Sequence, residues 1–297
     1  MNPHKERKAE ACILGAAVIE GGFPIIINQA VRVFPALAFA GISAAVGSLM
    51  HLILLLLRRV PFPKAPKKIW MYLVGIALCN SVFALLFIFL GTRYTSGINT
   101  ALLMQSEMLF SFLIFTLIFG EKALPKQYLG AAGVFFGTII VLYNGSFTLN
   151  RGDLLIILGT AFYPFGNQLA KTVLPHFPSS FILMVRHLAG AVSFILLSVL
   201  FEDLSMQIFS IAREYWWLIA LYGIVVLVGS KLLWYTGLRV LTATKAVSIV
   251  LAYPVFSLVF AAIFLGEIPT VYQLLGFGVT LTGLSVLVSR PSPPSLW

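Results

Sequence analysis

The sequence predicts an all-α integral membrane fold, ten transmembrane helices arranged as two inverted five-helix repeats. Three observations carry that expectation. The 297-residue chain is 60% hydrophobic and 10% charged, with a mean hydropathy of +0.99, whereas a soluble domain is about 25% charged. Its apolar residues fall in runs of roughly 18–25, the length an α-helix needs to cross ~30 Å of hydrocarbon. The chain also resembles itself after a shift of 146 residues.

Taken in order, the predicted spans are 11–29, 35–57, 69–91, 96–119, 127–143, 153–173, 179–200, 215–238, 243–265 and 270–289. The first follows Lys5, Arg7 and Lys8 and is longer than the 7–15-residue core of a signal peptide. Its removal would leave an odd number of helices, so it is read as a retained span. Arg58-Arg59-Val60-Pro61-Phe62-Pro63-Lys64 ends the second with charge and proline. Asn144-Gly145-Ser146 ends the fifth, and Pro175-His176-Phe177-Pro178 separates the sixth from the seventh. The linker from Phe201 to Tyr215 mixes Glu202, Asp203, Arg213 and Glu214 with Leu204, Met206, Ile208 and Phe209. Both an interfacial amphipathic segment and a solvated loop fit it.

Loop charge sets the expected orientation. Lys5, Arg7, Lys8, Arg58, Arg59, Lys64, Lys67, Lys68, Lys122, Lys126, Lys171, Arg239, Lys245 and Arg290 lie on the side of both termini; only Arg32, Arg93, Arg151 and Arg213 lie on the other. Both termini are therefore expected in the cytoplasm of a multi-pass cell-membrane protein. The net charge of +10 is spread over short loops, which argues against a nucleic-acid partner. Cys12 and Cys79 lie within apolar runs and suggest neither a disulfide framework nor a metal site.

The 146-residue shift places Trp70 on Trp216, Gly91 on Gly237 and Arg93 on Arg239. Phe110-Ser111 falls on Phe256-Ser257, Gly120-Glu121 on Gly266-Glu267, and Gln127, Gly130 and Gly137 on Gln273, Gly276 and Gly283. Coincidence at Leu or Phe is easy in apolar sequence; coincidence at Trp, Arg, Glu, Gln and Gly in one register is not. Five helices per half, 1–146 and 147–297, enter the membrane with opposite polarity. Inverted repeats of this kind are a frequent plan for secondary transporters, with the solute site near the midplane between the halves.

These motifs carry a resemblance. Leu117-Ile118-Phe119-Gly120-Glu121 followed by Gln127, Gly130 and Gly137, and Phe264-Leu265-Gly266-Glu267 followed by Gln273, Gly276 and Gly283, resemble the drug/metabolite transporter superfamily, specifically its ten-helix EamA-type members. Glu20-Gly21-Gly22-Phe23-Pro24 looks like the family's first-helix motif with Glu20 in place of a Trp. Pro178 with Arg186 resembles its proline-arginine pattern, which the first half, with Pro35 but no matching Arg, lacks. The resemblance implies two EamA-like repeats and export or exchange of amino acids, other metabolites or drugs through a central cavity.

Charge inside a span costs about 2.5–3.5 kcal/mol near the helix centre on insertion scales, so each such residue asks for a reason. Glu107 and Lys231 lie ~18 and ~24 Å deep on their helices at 1.5 Å per residue, close enough in height to meet. They form either a cavity pair that engages a polar solute or a structural ion pair between the halves. Helix spacing puts Met104 and Ser111 on the face of Glu107, and Trp234 and Tyr235 beside Lys231. Tyr253 is the repeat equivalent of Glu107 and precedes Pro254. Asn80, Asn167 and Gln168 suit a polar lining or bonding between helices. Glu20 resembles the first-helix Glu of small multidrug transporters and equally suits a helix contact. Arg186 and His187, two turns into the seventh helix, read more readily as snorkelling to the interface. Glu121 and Glu267 read as helix-end turns, and Thr270 with Gln273 as a capping box.

The expected substrate-binding set is thus Glu107, Lys231, Trp234, Tyr253, Asn167 and Glu20. With no phosphate loop, nucleophile elbow or metal-ligand cluster in sequence, no enzyme activity and no cofactor are expected. The partners expected are a small-molecule solute and the bilayer, with a homodimer left open. The competing reading is a membrane-embedded lipid-handling protein or enzyme using the same charges, although its acids are not clustered at the interface.

Overall fold

The computed structural model describes residues 3–121, 123–145, 150–202, 207–241, 243–250 and 252–288. Lys122 and Arg290 of the charge comparison, Ser146 of the turn after the fifth span, the last residue of the tenth span, and Asp203, Leu204 and Met206 of the long linker lie outside them. All regular structure among the described residues is helical. In chain order it comprises α1 (Pro3–Ala30), α2 (Ala36–Leu57), α3 (Lys67–Thr92), α4 (Gly97–Leu117), α5 (Pro125–Tyr143), α6 (Arg151–Thr160), α7 (Tyr163–Val173), α8 (Ser179–Phe201), α9 (Gln207–Glu214), α10 (Trp216–Leu238), α11 (Ala243–Val250), α12 (Tyr253–Leu265) and α13 (Val271–Val288).

Eight of these helices, α1 to α5, α8, α10 and α13, are long and apolar enough to cross a membrane. The predicted spans 153–173 and 243–265 are each broken in two. The breaks precede Tyr163-Pro164 and Tyr253-Pro254, whose prolines sit in the first turn of the following piece; proline lacks an N–H and its ring clashes with the carbonyl four residues back, so it is tolerated at a helix start and not in a helix interior. The pieces nevertheless continue one another. Gly152 packs on Gly91, Gly159 on Ala84, Gly166 on Asn80 and Leu169 on Gly75, so α6 and α7 together follow α3 in the antiparallel sense. Likewise Ala246 clusters with Ala9 and Ile13, Tyr253 and Phe256 lie against Gly21, and Ala261 clusters with Ile25. The α11 and α12 pair therefore runs parallel to α1. A third interruption, at Met104–Gln105 in α4, falls within one residue of the break between α11 and α12 when shifted by 146.

Glycines set the tightest crossing. Antiparallel α5 and α13 meet at Gly130 against Gly283 and Gly137 against Gly276, and in both pairs a Cβ on either partner would stand 2.7 Å from the other's carbonyl oxygen. Gly276 and Gly283 are Gly130 and Gly137 shifted by 146, so the seam is reciprocal. Small residues let helix backbones approach where lipid gives no hydrophobic drive for association.

The two ends of the bundle differ. One, the basic face, carries Arg58, Lys67, Lys126, Lys171, Arg239 and Lys245; the opposite face carries Arg32, Arg93, Arg151 and Arg213. The main core, with Phe23, Phe34, Phe39, Phe89 and Tyr222, is covered by Ile208, Ile211 and Ala212 of α9 and by Tyr215. Of the two readings of the linker, the described part therefore fits the amphipathic one. Leu56, Leu117, Leu129 and Phe201, each at least 67% exposed, belong to the outer apolar surface that suits acyl chains.

Candidate functional site

Between the halves lies a cavity of about 400 Å³. All six residues expected from sequence line it: Glu20 from α1, Glu107 from α4, Asn167 from α7, Lys231 and Trp234 from α10, and Tyr253 from α12. Met104 and Tyr235 line it as helix spacing suggests, while Ser111 does not.

The expected meeting of Glu107 and Lys231 is corrected. Lys231 Nζ lies 2.6 Å from Glu20 Oε1, which also accepts a hydrogen bond from Ser230 Oγ at 2.8 Å. The cause is packing between α1 and α10: Gly15 lies against Leu233 and Gly237 against Ile13, so the chain from Glu20 reaches Lys231 first. Depth along a helix fixes height, not azimuth, and so does not choose between possible partners. Glu107 instead accepts from Asn167 Nδ2 at 3.4 Å, a long hydrogen bond. Asn80 Nδ2 in turn donates to Asn167 Oδ1 at 3.0 Å. The amides thus bond between helices and line the cavity at once.

Arg186 also departs from its expected place. It lines the cavity with His187 rather than snorkelling to the interface, and its Nε donates to Ser81 Oγ at 3.1 Å. Two acids, Glu20 and Glu107, therefore share the cavity with two bases, Lys231 and Arg186, beneath Tyr163, Tyr222, Trp234, Tyr235 and Tyr253. Side-chain exposures of 39% for Lys231 and 27% for Glu20 show that the ion pair keeps access to the cavity. Ser81 lies in a π-helical stretch, Leu78 to Phe83, and Val226, Leu227 and Ser230 in another, Leu221 to Ser230; such wide turns occur often at functional sites. Nothing in the apolar pattern signals them.

The lining has an internal order. Asn80 and Val226, Ser81 and Leu227, Leu85 and Lys231, Met104 and Val250, and Glu107 and Tyr253 all line the cavity, and each pair is separated by 146 residues. Four of the five pairs join a polar or charged side chain to an apolar or aromatic one, and only Met104 and Val250 are alike in being apolar. The cavity therefore lies where equivalent positions of the two halves converge, and its chemistry is one-sided. Arg186, Lys231 and the aromatic Trp234 come from the second half; Glu20, Glu107 and Asn80 from the first.

Eight long apolar helices around an interior cavity lined by charged side chains define a multi-pass membrane protein. The model of the EamA-like transporter family matches residues 7–143 and again residues 150–289. The chain belongs to that family and is a transporter of the drug/metabolite type. It is similar to YyaM of Bacillus subtilis (strain 168), described as an uncharacterized transporter, with 26% identity over 71% of this chain and 69% of the relative. YetK of the same organism, described in the same words, is 23% identical over 99% of this chain and 90% of its own. A solved crystal structure with 18% identity has the same fold, with a TM-score of 0.65 over 95% of this chain and 98% of the other.

Proposed function

We propose that the protein is a secondary transporter, an exporter or exchanger, of small organic metabolites such as amino acids, working by alternating access. On this reading ten membrane segments form two inverted repeats, 1–146 and 147–297, in the cell membrane, with both termini cytoplasmic. The observation that carries it is the convergence of repeat-related residues, chemically unlike in four pairs of five, on one cavity. Reciprocal glycine contacts between α5 and α13 support the inverted symmetry, and fourteen Lys and Arg against four support the orientation.

Of the two acids that line the cavity, Glu20 is paired with Lys231 whereas Glu107 has an amide, Asn167, as its hydrogen-bond partner, which leaves it free to meet a positive group of the solute. Lys231, half tied to Glu20, and Arg186 supply the complementary charge. Trp234, Tyr235 and Tyr253 supply aromatic faces suited to a cation or an apolar side chain. A metabolite-release screen tests this, comparing cells that overproduce the wild type with cells that overproduce Glu107→Gln at equal membrane abundance. A solute released by the wild type and lost by at least tenfold in the variant is the expected result. Equal release by both would remove Glu107 from the site, and no solute released in excess by either would remove export.

A further inference from the structure

The sequence motif Gly-Glu occurs at the end of α4 and at the end of α12, and the two copies are built alike. Gly120 has φ +69° and Gly266 φ +66°, left-handed conformations that glycine adopts without penalty. In each, the N–H of the following glutamate donates to a carbonyl six residues back, Glu121 to Phe115 at 2.9 Å and Glu267 to Ala261 at 3.2 Å. This helix-ending turn presents the carboxylate in the same way in both halves. Each glutamate also has a cation beside it: Arg32, just past the end of α1, at 3.7 Å from Glu267, and Lys171, near the end of α7, at 3.1 Å from Glu121.

Only their further partners differ. Glu267 accepts from the N–H of Gly97 at 3.0 Å and of Ile98 at 2.9 Å. It thereby caps the start of α4, where a helix leaves unpaired N–H groups and the positive end of its dipole. Its side chain is 17% exposed. Glu121 has no such contact and is 51% exposed. Shifted by 146, Gly97 and Ile98 become Ala243 and Thr244, the first residues of α11. The helix start that Glu121 would cap therefore exists, on the same basic face, and it belongs to the other half.

The geometry between the two helices explains why one contact is made and the other is not. The start of α4 and the end of α12 pack together on the opposite face, with Ile98 and Leu102 against Ala261, Leu258 and Leu265. Farther down, Met104 and Glu107 stand across the cavity from Val250 and Tyr253. From Gly97 to Glu121 and from Ala243 to Glu267 the chain has the same length, and each stretch is interrupted at the level of the cavity. Two such levers, joined at one end and parted at the other, exchange ends by rocking about the middle.

We infer that Glu121 and Glu267 form a reciprocal latch, in which Glu267 on Gly97 and Ile98 holds the opposite face shut in the form seen here, and Glu121 on the N–H groups of Ala243 and Thr244 holds the basic face shut in the alternate form. The inference rests on the alternating-access reading. Each latch closes one face, and the two are made in turn. Lys171 competes with α11 for Glu121 and so favours the form with the basic face open.

Distances between spin labels read the latch without knowledge of the solute. In a background with Cys12 and Cys79 replaced by Ser, one label pair is placed at Arg93 and Ile268 on the opposite face, and another at Lys8 and Leu117 on the basic face. Wild-type protein in nanodiscs should show mainly a short first and a long second distance. Glu267→Gln should lengthen the first and shorten the second, moving the ratio of the two forms by about tenfold. Lys171→Met, a change at an exposed side chain that leaves the closed contact intact, should move it in the same direction by less. Adding Glu121→Gln to Glu267→Gln should return the ratio at least halfway to wild type. If the second set of distances appears but Glu121→Gln does not reverse it, the latch is wrong and alternating access stands. If no variant and no added metabolite extract produces the second set, both fall.

Discussion

The seam between α5 and α13 and the cavity between the halves use the same internal repeat in opposite ways. At the seam, like meets like: Gly130 and Gly137 face Gly283 and Gly276, the copies of Gly137 and Gly130. Around the cavity, equivalent positions converge but differ, as Glu107 with Tyr253 and Leu85 with Lys231. Packing is a property both halves share, since any side chain at a backbone-to-backbone crossing would force the helices apart. Recognition is not shared, because a single asymmetric molecule needs different groups at its two ends. Identity across the repeat therefore points to structure, and difference across it, inside a common cavity, points to chemistry.

The largest effect should come from the seam. A Cβ at Gly137 would stand 2.2 Å from Thr280 Oγ1 and 2.7 Å from both the Gly276 carbonyl oxygen and the Thr280 nitrogen. Backbone cannot yield as a flexible side chain does, so Gly137→Val should destabilise by about 3 kcal/mol, the upper end for overpacking. Thermal unfolding in detergent measures it. Gly278, on the partner helix α13 with nothing within 4 Å of a Cβ, gives the control: Gly278→Ala should leave the melting temperature unchanged. Equal loss in both variants would show that helix propensity, not the crossing, decides.

An intermediate effect is expected at the ion pair. Lys231→Met leaves the Glu20 carboxylate with only Ser230 Oγ, and an unpaired charge in a poorly solvated site is worse than no charge. Because both side chains keep access to the cavity, the loss should be about 1–2 kcal/mol rather than the larger value of a fully buried pair. Adding Glu20→Gln should restore the lost folded yield, with transport still absent if Lys231 meets the solute. A double variant no better folded than Lys231→Met would show that the Glu20 charge has other support.

Most of the fold could be read from the sequence because lipid imposes a simple rule: every long apolar run must be a helix. The predicted spans at 35–57, 69–91, 96–119, 127–143, 179–200, 215–238 and 270–289 correspond to long helices, and α1 begins earlier than 11 because its first turns carry Glu6 and Glu10 to Lys245. The capping box also forms, with Thr270 N donating to Gln273 Oε1 at 2.9 Å and Gln273 N to Thr270 Oγ1 at 3.2 Å. Of the two breaks, the one before Tyr253 had a signal in Pro254, which suits a kink or a loosened helix, while the one at Phe162 lies in an apolar run that reads as one span although Pro164 follows it. At the site, charge at depth singled out Glu20, Glu107 and Lys231, but partner choice depended on which helices touch. That information resides in small residues such as Gly15, Gly21 and Gly237, which place α1 beside α10 and α12, and single-residue hydropathy does not rank them.

The smallest effect separates a carboxylate that only braces from one that also switches. Glu202 accepts from the N–H of Leu37 and of Ala38, both at 3.0 Å, and from Ser198 Oγ at 2.6 Å. It caps α2 because Pro35, at the capping position, has no side-chain acceptor. This contact and the Glu267 contact on α4 lie on the same face and have nearly the same geometry. They differ in their surroundings. Glu202 ends α8, which packs along α2 from Gly41 against Ile195 to Ser48 Oγ on the Met184 carbonyl, so the two helices stay together on either side of the cavity. Glu267 instead joins helices that part around the cavity. Glu202→Gln should therefore lower stability by about 1 kcal/mol, the usual worth of a helix cap, seen as a small drop in melting temperature, while the spin-label distances across both faces stay at their wild-type values. Glu267→Gln should do the reverse, shifting distances more than stability. If Glu202→Gln shifted the distances as well, capping strength alone would govern the opposite face and the distinction between brace and latch would be lost.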